Sequence, residues 1–179
     1  MDNTVALIGA GAMGGAIGAR LLETGNTLHV FDLDKEKVDE LVAKGGIAAQ
    51  SAGDAASQAD FVIFSLNSAK VVGIAAFGDN GAASGAKPGT IFIDMSSIDP
   101  ESTRELAAQA EEKGLAWVDS PLSGGAPKAL IGELTLMAGG KEADVARAHE
   151  CLKDVAKNYT HMGPSGAGQT TKIINQVLC

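Results

Sequence analysis

Short apolar runs alternate along this chain with longer segments in which apolar residues recur every three or four positions. Residues 4–8 form an apolar run closed by Gly9, the pattern of a strand covered on both faces. A helix is predicted over 12–23, stopped at Gly25-Asn26, then a strand over 27–31. Val38, Leu41 and Val42 share one face of a predicted helix over 35–43, which ends at Gly45-Gly46 before a short strand near Ile47. A strand over 61–66 and a small-residue helix from Ser68 follow, whereas 78–89, rich in Gly and Ala, predicts no element. Residues 90–94 read as a buried strand. Asp99-Pro100 then opens a helix that runs to Lys113, because the carboxylate accepts from free N–H groups and proline fits the first turn. Strands are predicted over 115–119, 134–138 and 158–161, and helices over 142–155 and from Ser165 onward. This alternation predicts an α/β fold: a doubly wound, mainly parallel sheet with helices on both faces.

Composition narrows the classes of function. The formal net charge of −8 argues against a nucleic-acid partner, which demands a basic surface. The apolar runs are strand-sized, far short of the roughly 20 residues of a membrane-spanning helix, so no membrane role is expected. Cys151 and Cys179 have neither metal nor redox spacing, and no Cys/His cluster suggests a metal. Reduced thiols and no basic-then-apolar leader at Met1-Asp2-Asn3 give a cytoplasmic expectation.

The chemistry begins at Gly9-Ala10-Gly11-Ala12-Met13-Gly14, a GxGxxG pattern placed directly after a buried strand and before a helix. In that setting Gly9 permits a tight turn, Gly11 lets backbone approach a pyrophosphate, and Gly14 lets helix and strand pack closely. The helix start then offers N–H groups and a positive dipole end to the diphosphate. Asp32 closes the second strand, where a carboxylate accepts from ribose hydroxyls and repels a 2′-phosphate. Leu33 follows with no Arg beside it, so NAD is favoured over NADP; Lys35 and Lys37 keep NADP possible. This is the reading of a Rossmann-type dinucleotide-binding fold.

Three later segments have compositions with no evident structural purpose: Ile93-Asp94-Met95-Ser96-Ser97, Asp119-Ser120-Pro121-Leu122-Ser123-Gly124-Gly125, and Gly163-Pro164-Ser165-Gly166-Ala167-Gly168-Gln169 with Lys172 and Asn175 beyond it. Together with GAGAMGG they resemble, in order and spacing, the motifs of the β-hydroxyacid dehydrogenase family. DSPLSGG is similar to its substrate-binding segment and GPSGAGQTTKIIN to its catalytic segment. The resemblance implies an oxidoreductase that interconverts a small 3-hydroxy acid and its semialdehyde or 3-oxo form with NAD(H). It implies that Lys172 is the catalytic lysine, that Ser123, Gly124, Gly125 and Asn175 bind a small carboxylate substrate, and that Leu66, Asn67 and Ser97 line the cofactor. The residues agree: Lys172 and Asn175 are three apart, so one helix face carries both, and Ser123-Gly124-Gly125 offers a hydroxyl and adaptable N–H groups.

The resemblance also implies a division at residue 163. Residues 1–163 would be the NAD(P)-binding domain, and 164–179 the start of an interdomain helix, with the family's all-helical C-terminal domain absent from this sequence. The apolar residues Ile173, Ile174, Val177 and Leu178 then favour self-association, so a homo-oligomer is expected. Three alternatives share the cofactor residues: a noncatalytic NAD(P)-binding module or fragment; an imine reductase, against which Lys172 argues; and a 6-phosphogluconate dehydrogenase, against which the short chain and Asp32 argue. Trp117 is read as core, His29, His149 and His161 as structural, and Asp94 and Asp119 as loop caps.

Overall fold

The computed structural model describes residues 3–178; Met1, Asp2 and Cys179, with the thiol expected to be reduced there, lie outside them. Among the described residues the chain alternates β1 (Thr4–Ile8), α1 (Ala12–Glu23), β2 (Thr27–Phe31), α2 (Lys35–Val42), β3 (Ile47–Ala48), α3 (Ala52–Ser57) and β4 (Phe61–Phe64). It continues through α4 (Ala69–Phe77), α5 (Ala82–Gly85), β5 (Ile91–Asp94), α6 (Pro100–Glu112), β6 (Ala116–Asp119), β7 (Leu122–Ser123) and α7 (Gly125–Leu130). The last elements are β8 (Leu134–Gly139), α8 (Glu142–Leu152), β9 (Ala156–Gly163) and α9 (Ala167–Leu178).

One sheet carries all the strands. Its parallel part runs β3-β2-β1-β4-β5-β6, the order in which two βαβ halves diverge from β1 and β4. Beyond β6 the direction changes: β8 is antiparallel to β6 and β7, and β9 pairs in parallel along the other edge of β8. The period-two alternation of each strand divides the core between the two faces. Val5, Leu7, Ile63, Ile93 and Val118 face one layer with Ile17 and Leu21 of α1. Ala6, Ile8, Val62, Phe64, Phe92 and Trp117 face the other. On that second face Trp117 stacks on Phe64 with ring centroids 5.8 Å apart, and Phe77 closes the group.

Four elements have no counterpart in the sequence pattern, and two others differ in extent. α3 and α5 are six and four residues of mostly small side chains, too short to show a helical period. β7 and α7 lie between the strands predicted over 115–119 and 134–138, where the pattern predicts no element; both are short, two and six residues. The helix expected over 142–155 ends at Leu152, and the last strand extends over Ala156–Gly163.

Register matters most for the site. Ile8 is level with Phe31 and Phe64, Phe64 with Asp94, and Asp94 with Asp119. Five parallel strands therefore end on one row, and their following loops emerge along a single carboxyl edge of the sheet.

Candidate cofactor and substrate site

The first loop on that edge is Gly9–Gly11, and its glycines divide by cause. Gly9 has a φ of +96°, and a Cβ there would lie 2.3 Å from the Ser65 carbonyl oxygen. A Cβ at Gly14 would lie 1.9 Å from the Gly9 carbonyl oxygen, so α1 approaches the turn as closely as backbone allows. Gly11 is different: its φ is −63°, open to any residue, and a Cβ there would meet nothing within 4 Å. No protein contact explains glycine at 11. A ligand lying against the backbone does, which is the fit expected of a diphosphate. α1 also begins with no side-chain cap and no acidic residue in its first turn, leaving its N–H groups and positive end available to an anion. Met13 is half-buried and packs on the core.

Asp32 stands beside this turn. Its Oδ2 accepts from the Ala10 N–H at 2.7 Å and its Oδ1 from the Asp34 N–H at 2.8 Å. Those two bonds fix the carboxylate while leaving each oxygen further acceptor capacity. It borders a cavity of about 430 Å³ walled by Leu33, Ser51, Leu66, Val71 and Ile74. Leu33 and Ile74 are exposed apolar side chains at its rim. One carboxylate beside an apolar slot suits a sugar attached to a flat base.

The second half of the edge is held by buried polar groups. Asp119 accepts from the Gly166 N–H at 2.9 Å and the Gln169 N–H at 3.0 Å, so a strand-end carboxylate caps α9 from a distance in sequence. Gln169 donates its Nε2 to the Ser96 carbonyl at 2.7 Å. The Ser96 hydroxyl accepts from the Leu66 N–H at 3.0 Å, and the Ser96 N–H donates to Asp94 Oδ1 at 3.0 Å. Burial pushes the Asp94 carboxyl up to about 7, against the lowering effect of its Ser96 bonds. Burial also raises Asp119, partly countered by the N–H groups of Gly166 and Gln169.

The remaining candidate residues fall into three places. Leu66 lies over Gly9, its Cδ2 within 2.8 Å of where a Gly9 Cβ would stand, and Asn67 beside it is exposed. Ser97 is exposed, and the hydroxyl that fastens the Leu66 loop is that of its neighbour Ser96. Ser123 ends β7 opposite Thr135, and Gly124 and Gly125 follow at φ +127° and +74°, which only glycine adopts easily. α7, which starts at Gly125, packs on α1. Lys172 and Asn175 are half-buried on α9. Ser96, Gln169 and the wall residues Ser51, Val71 and Ile74 were not legible as site residues. Gln169, inside the Gly163–Gln169 segment, and Ser96, inside the Ile93–Ser97 segment, carried a hint.

A parallel sheet in this order, a glycine turn into an uncapped helix and an acidic residue closing β2 define a dinucleotide-binding Rossmann domain. Residues 4–163 match the family model described as the NAD binding domain of 6-phosphogluconate dehydrogenase. The chain belongs to that family of NAD-binding domains. It is 41% identical over 174 residues to the NAD-dependent L-serine dehydrogenase of Pseudomonas aeruginosa, covering 97% of this chain and 58% of that protein. To the 2-(hydroxymethyl)glutarate dehydrogenase of Eubacterium barkeri it is 38% identical, with the same coverage. The solved 3-hydroxyisobutyrate dehydrogenase of Mycobacterium tuberculosis with L-serine superposes with a TM-score of 0.95 at 34% identity, over 99% of this chain and 60% of that one. The chain thus spans about three-fifths of the length of the proteins it matches. Among the described residues no helix is long and apolar enough to cross a membrane.

Proposed function

We propose that this chain is the cofactor-binding portion of an NAD-dependent β-hydroxyacid dehydrogenase that interconverts a small 3-hydroxy acid and its 3-oxo form. The observation that carries the reading is the shared row at the carboxyl edge. The loops after β1, β4, β5 and β6 emerge together there, and α9, bearing Lys172, is fastened to the same edge through Asp119 and Ser96. The names of the relatives supply the substrate class. Serine, 2-(hydroxymethyl)glutarate and 3-hydroxyisobutyrate all place a hydroxyl on the carbon β to a carboxylate.

NAD, when bound, supplies the hydride acceptor; the chain supplies binding, orientation and proton transfer. Gly9, Ala10, Gly11, Ala12, Met13 and Gly14 receive the diphosphate. Asp32 takes the ribose hydroxyls and disfavours a 2′-phosphate, so NAD is preferred to NADP. Leu66, Asn67 and Ser97 border the nicotinamide side. Ser123, Gly124, Gly125 and Asn175 hold the substrate carboxylate and thereby fix the reacting carbon. Lys172 Nζ takes the hydroxyl proton in oxidation and returns it in reduction. Residues 1–163 form the cofactor domain and 164–179 begin an interdomain helix. The exposed Ile173, Ile174, Val177 and Leu178 support assembly into a homo-oligomer. The free, buried Cys151 thiol suits a reducing compartment such as the cytoplasm.

Calorimetric titration with NADH and NADPH, followed by turnover of several 3-hydroxy acids and their semialdehydes, tests the proposal. NADH should bind at least about tenfold more tightly than NADPH. Lys172→Ala should abolish most turnover and leave NADH affinity in place. Folded protein with no affinity for either cofactor would overturn the reading. Binding without turnover in the intact protein would favour a noncatalytic NAD-binding module.

A further inference from the structure

Gln169 is 1% exposed and Ser96 2% exposed, yet both are polar, on segments far apart in sequence. An apolar side chain would fill either volume without the cost of burying a polar group. What the amide and hydroxyl add is direction. The Gln169 Nε2 is 2.7 Å from the Ser96 carbonyl, and the Gln169 N–H is 3.0 Å from Asp119 Oδ2, so the first turn of α9 is held at two points. Ser96 bonds both ways, with its carbonyl toward α9 and its hydroxyl to the Leu66 N–H at 3.0 Å. Lys172 follows Gln169 by three residues, and residues three apart share a helix face. A continuous line of hydrogen bonds thus joins the start of the helix that carries Lys172 to the loop that lies over Gly9.

We propose that Gln169 is a positioning residue: through Ser96 it sets Lys172 at a fixed distance from the Leu66 loop that borders the cofactor. The proposal rests on the reading of Lys172 as the proton-transfer group. Misplacement by about 1 Å can cost a hundredfold in rate, so a rigid tie between acid/base and cofactor loop has a direct kinetic consequence.

The test uses the intact protein with Gln169→Met, which keeps the volume and removes the donor, and Gln169→Glu, which turns a carboxylate oxygen toward the Ser96 carbonyl. Each is made alone and with Lys172→Ala. Gln169→Met is expected to lower kcat by about ten- to a hundredfold. It should slow Lys172→Ala no further, because both changes act through one group. Amide hydrogen exchange gives a second readout that needs no turnover: the Leu66 N–H should exchange faster in Gln169→Met, because each of the two residues is bonded to Ser96. Ser96→Ala removes the hydroxyl acceptor of the Leu66 N–H and leaves the carbonyl that Gln169 uses, so it cuts the tie at its other end. A lowered kcat that adds nothing to Lys172→Ala would support the proposal and an unchanged kcat would overturn it, which keeps the test decisive if a Gln169 variant fails to fold. Equal slowing of wild type and Lys172→Ala by Gln169→Met would overturn the proposal, as would unchanged Leu66 exchange in that variant. Full turnover in Lys172→Ala would instead sink the Lys172 assignment. That case is distinguishable, because faster Leu66 exchange in Gln169→Met would still support the tie.

Discussion

The amino ends of α1 and α6 pose the same physical problem and meet it in opposite ways. Each helix leaves N–H groups without intrahelical partners and a positive end to its dipole. At α6 the chain answers with its own residues. Asp99 accepts from the Ser102 N–H at 2.8 Å, Pro100 takes a first-turn position where no N–H is needed, and Glu101 adds a negative charge. The Ser102 N–H and then its hydroxyl hold the Asp99 carboxyl below the usual carboxylate range. At α1 the cap position is Gly11, with no side-chain acceptor and no acid in the first turn. The difference teaches that one helix start is completed by the sequence, whereas the other is left for an anion from outside the chain.

Replacing Gly14 should break the comparison most severely. Gly14→Val drives a Cβ into the Gly9 carbonyl, which is backbone and cannot move aside, so a loss of roughly 3 kcal/mol or more is expected in urea unfolding. Unchanged stability would mean that the close approach is not required. Gly11→Asp sharpens the contrast by giving α1 the kind of cap that α6 has. Its Cβ meets only open space, so stability should hold or rise by a few tenths of a kcal/mol, while NADH affinity measured by calorimetry should fall at least about a hundredfold. Retained affinity would show that the diphosphate lies elsewhere. Asp99→Ala is the reciprocal change, expected to cost about 1 kcal/mol without altering NADH affinity. The smallest effect is one of pH. Because folding lowers the Asp99 carboxyl, its stabilisation is present above the unfolded carboxylate value and is lost as pH falls through the folded one. Asp99→Asn should therefore flatten the acid limb of a stability–pH curve and leave neutral pH almost unchanged.

Elements with strong periods or unbroken apolar runs were readable from sequence. β1 and β5 are covered on both faces, and their composition says so. α3 escaped because Ala52–Ser57 is under two turns long and mostly alanine and glycine, although Ser51 accepting from the Asp54 N–H is a capping pattern that its spacing could have revealed. The antiparallel turn at β8 left no mark, since strand direction is decided by partners distant in sequence. In the site, the glycine turn and Asp32 were legible because their purposes are local. Ser96, Gln169 and Asp119 form one network only after three loops meet, and no spacing rule connects residues 23 to 73 positions apart. Position 97 drew notice for its hydroxyl, yet it is the adjacent serine whose side chain turns inward.

Trp117 is the single tryptophan of the sequence, stacked between Phe64 and Phe77 in the middle of the sheet. Intrinsic emission from this protein therefore reports one address. It will follow loss of the central strands without an attached dye. Should reduced cofactor settle on the carboxyl edge of the same sheet, energy transfer from the indole to the dihydronicotinamide would make occupancy visible as quenching, with one donor to interpret.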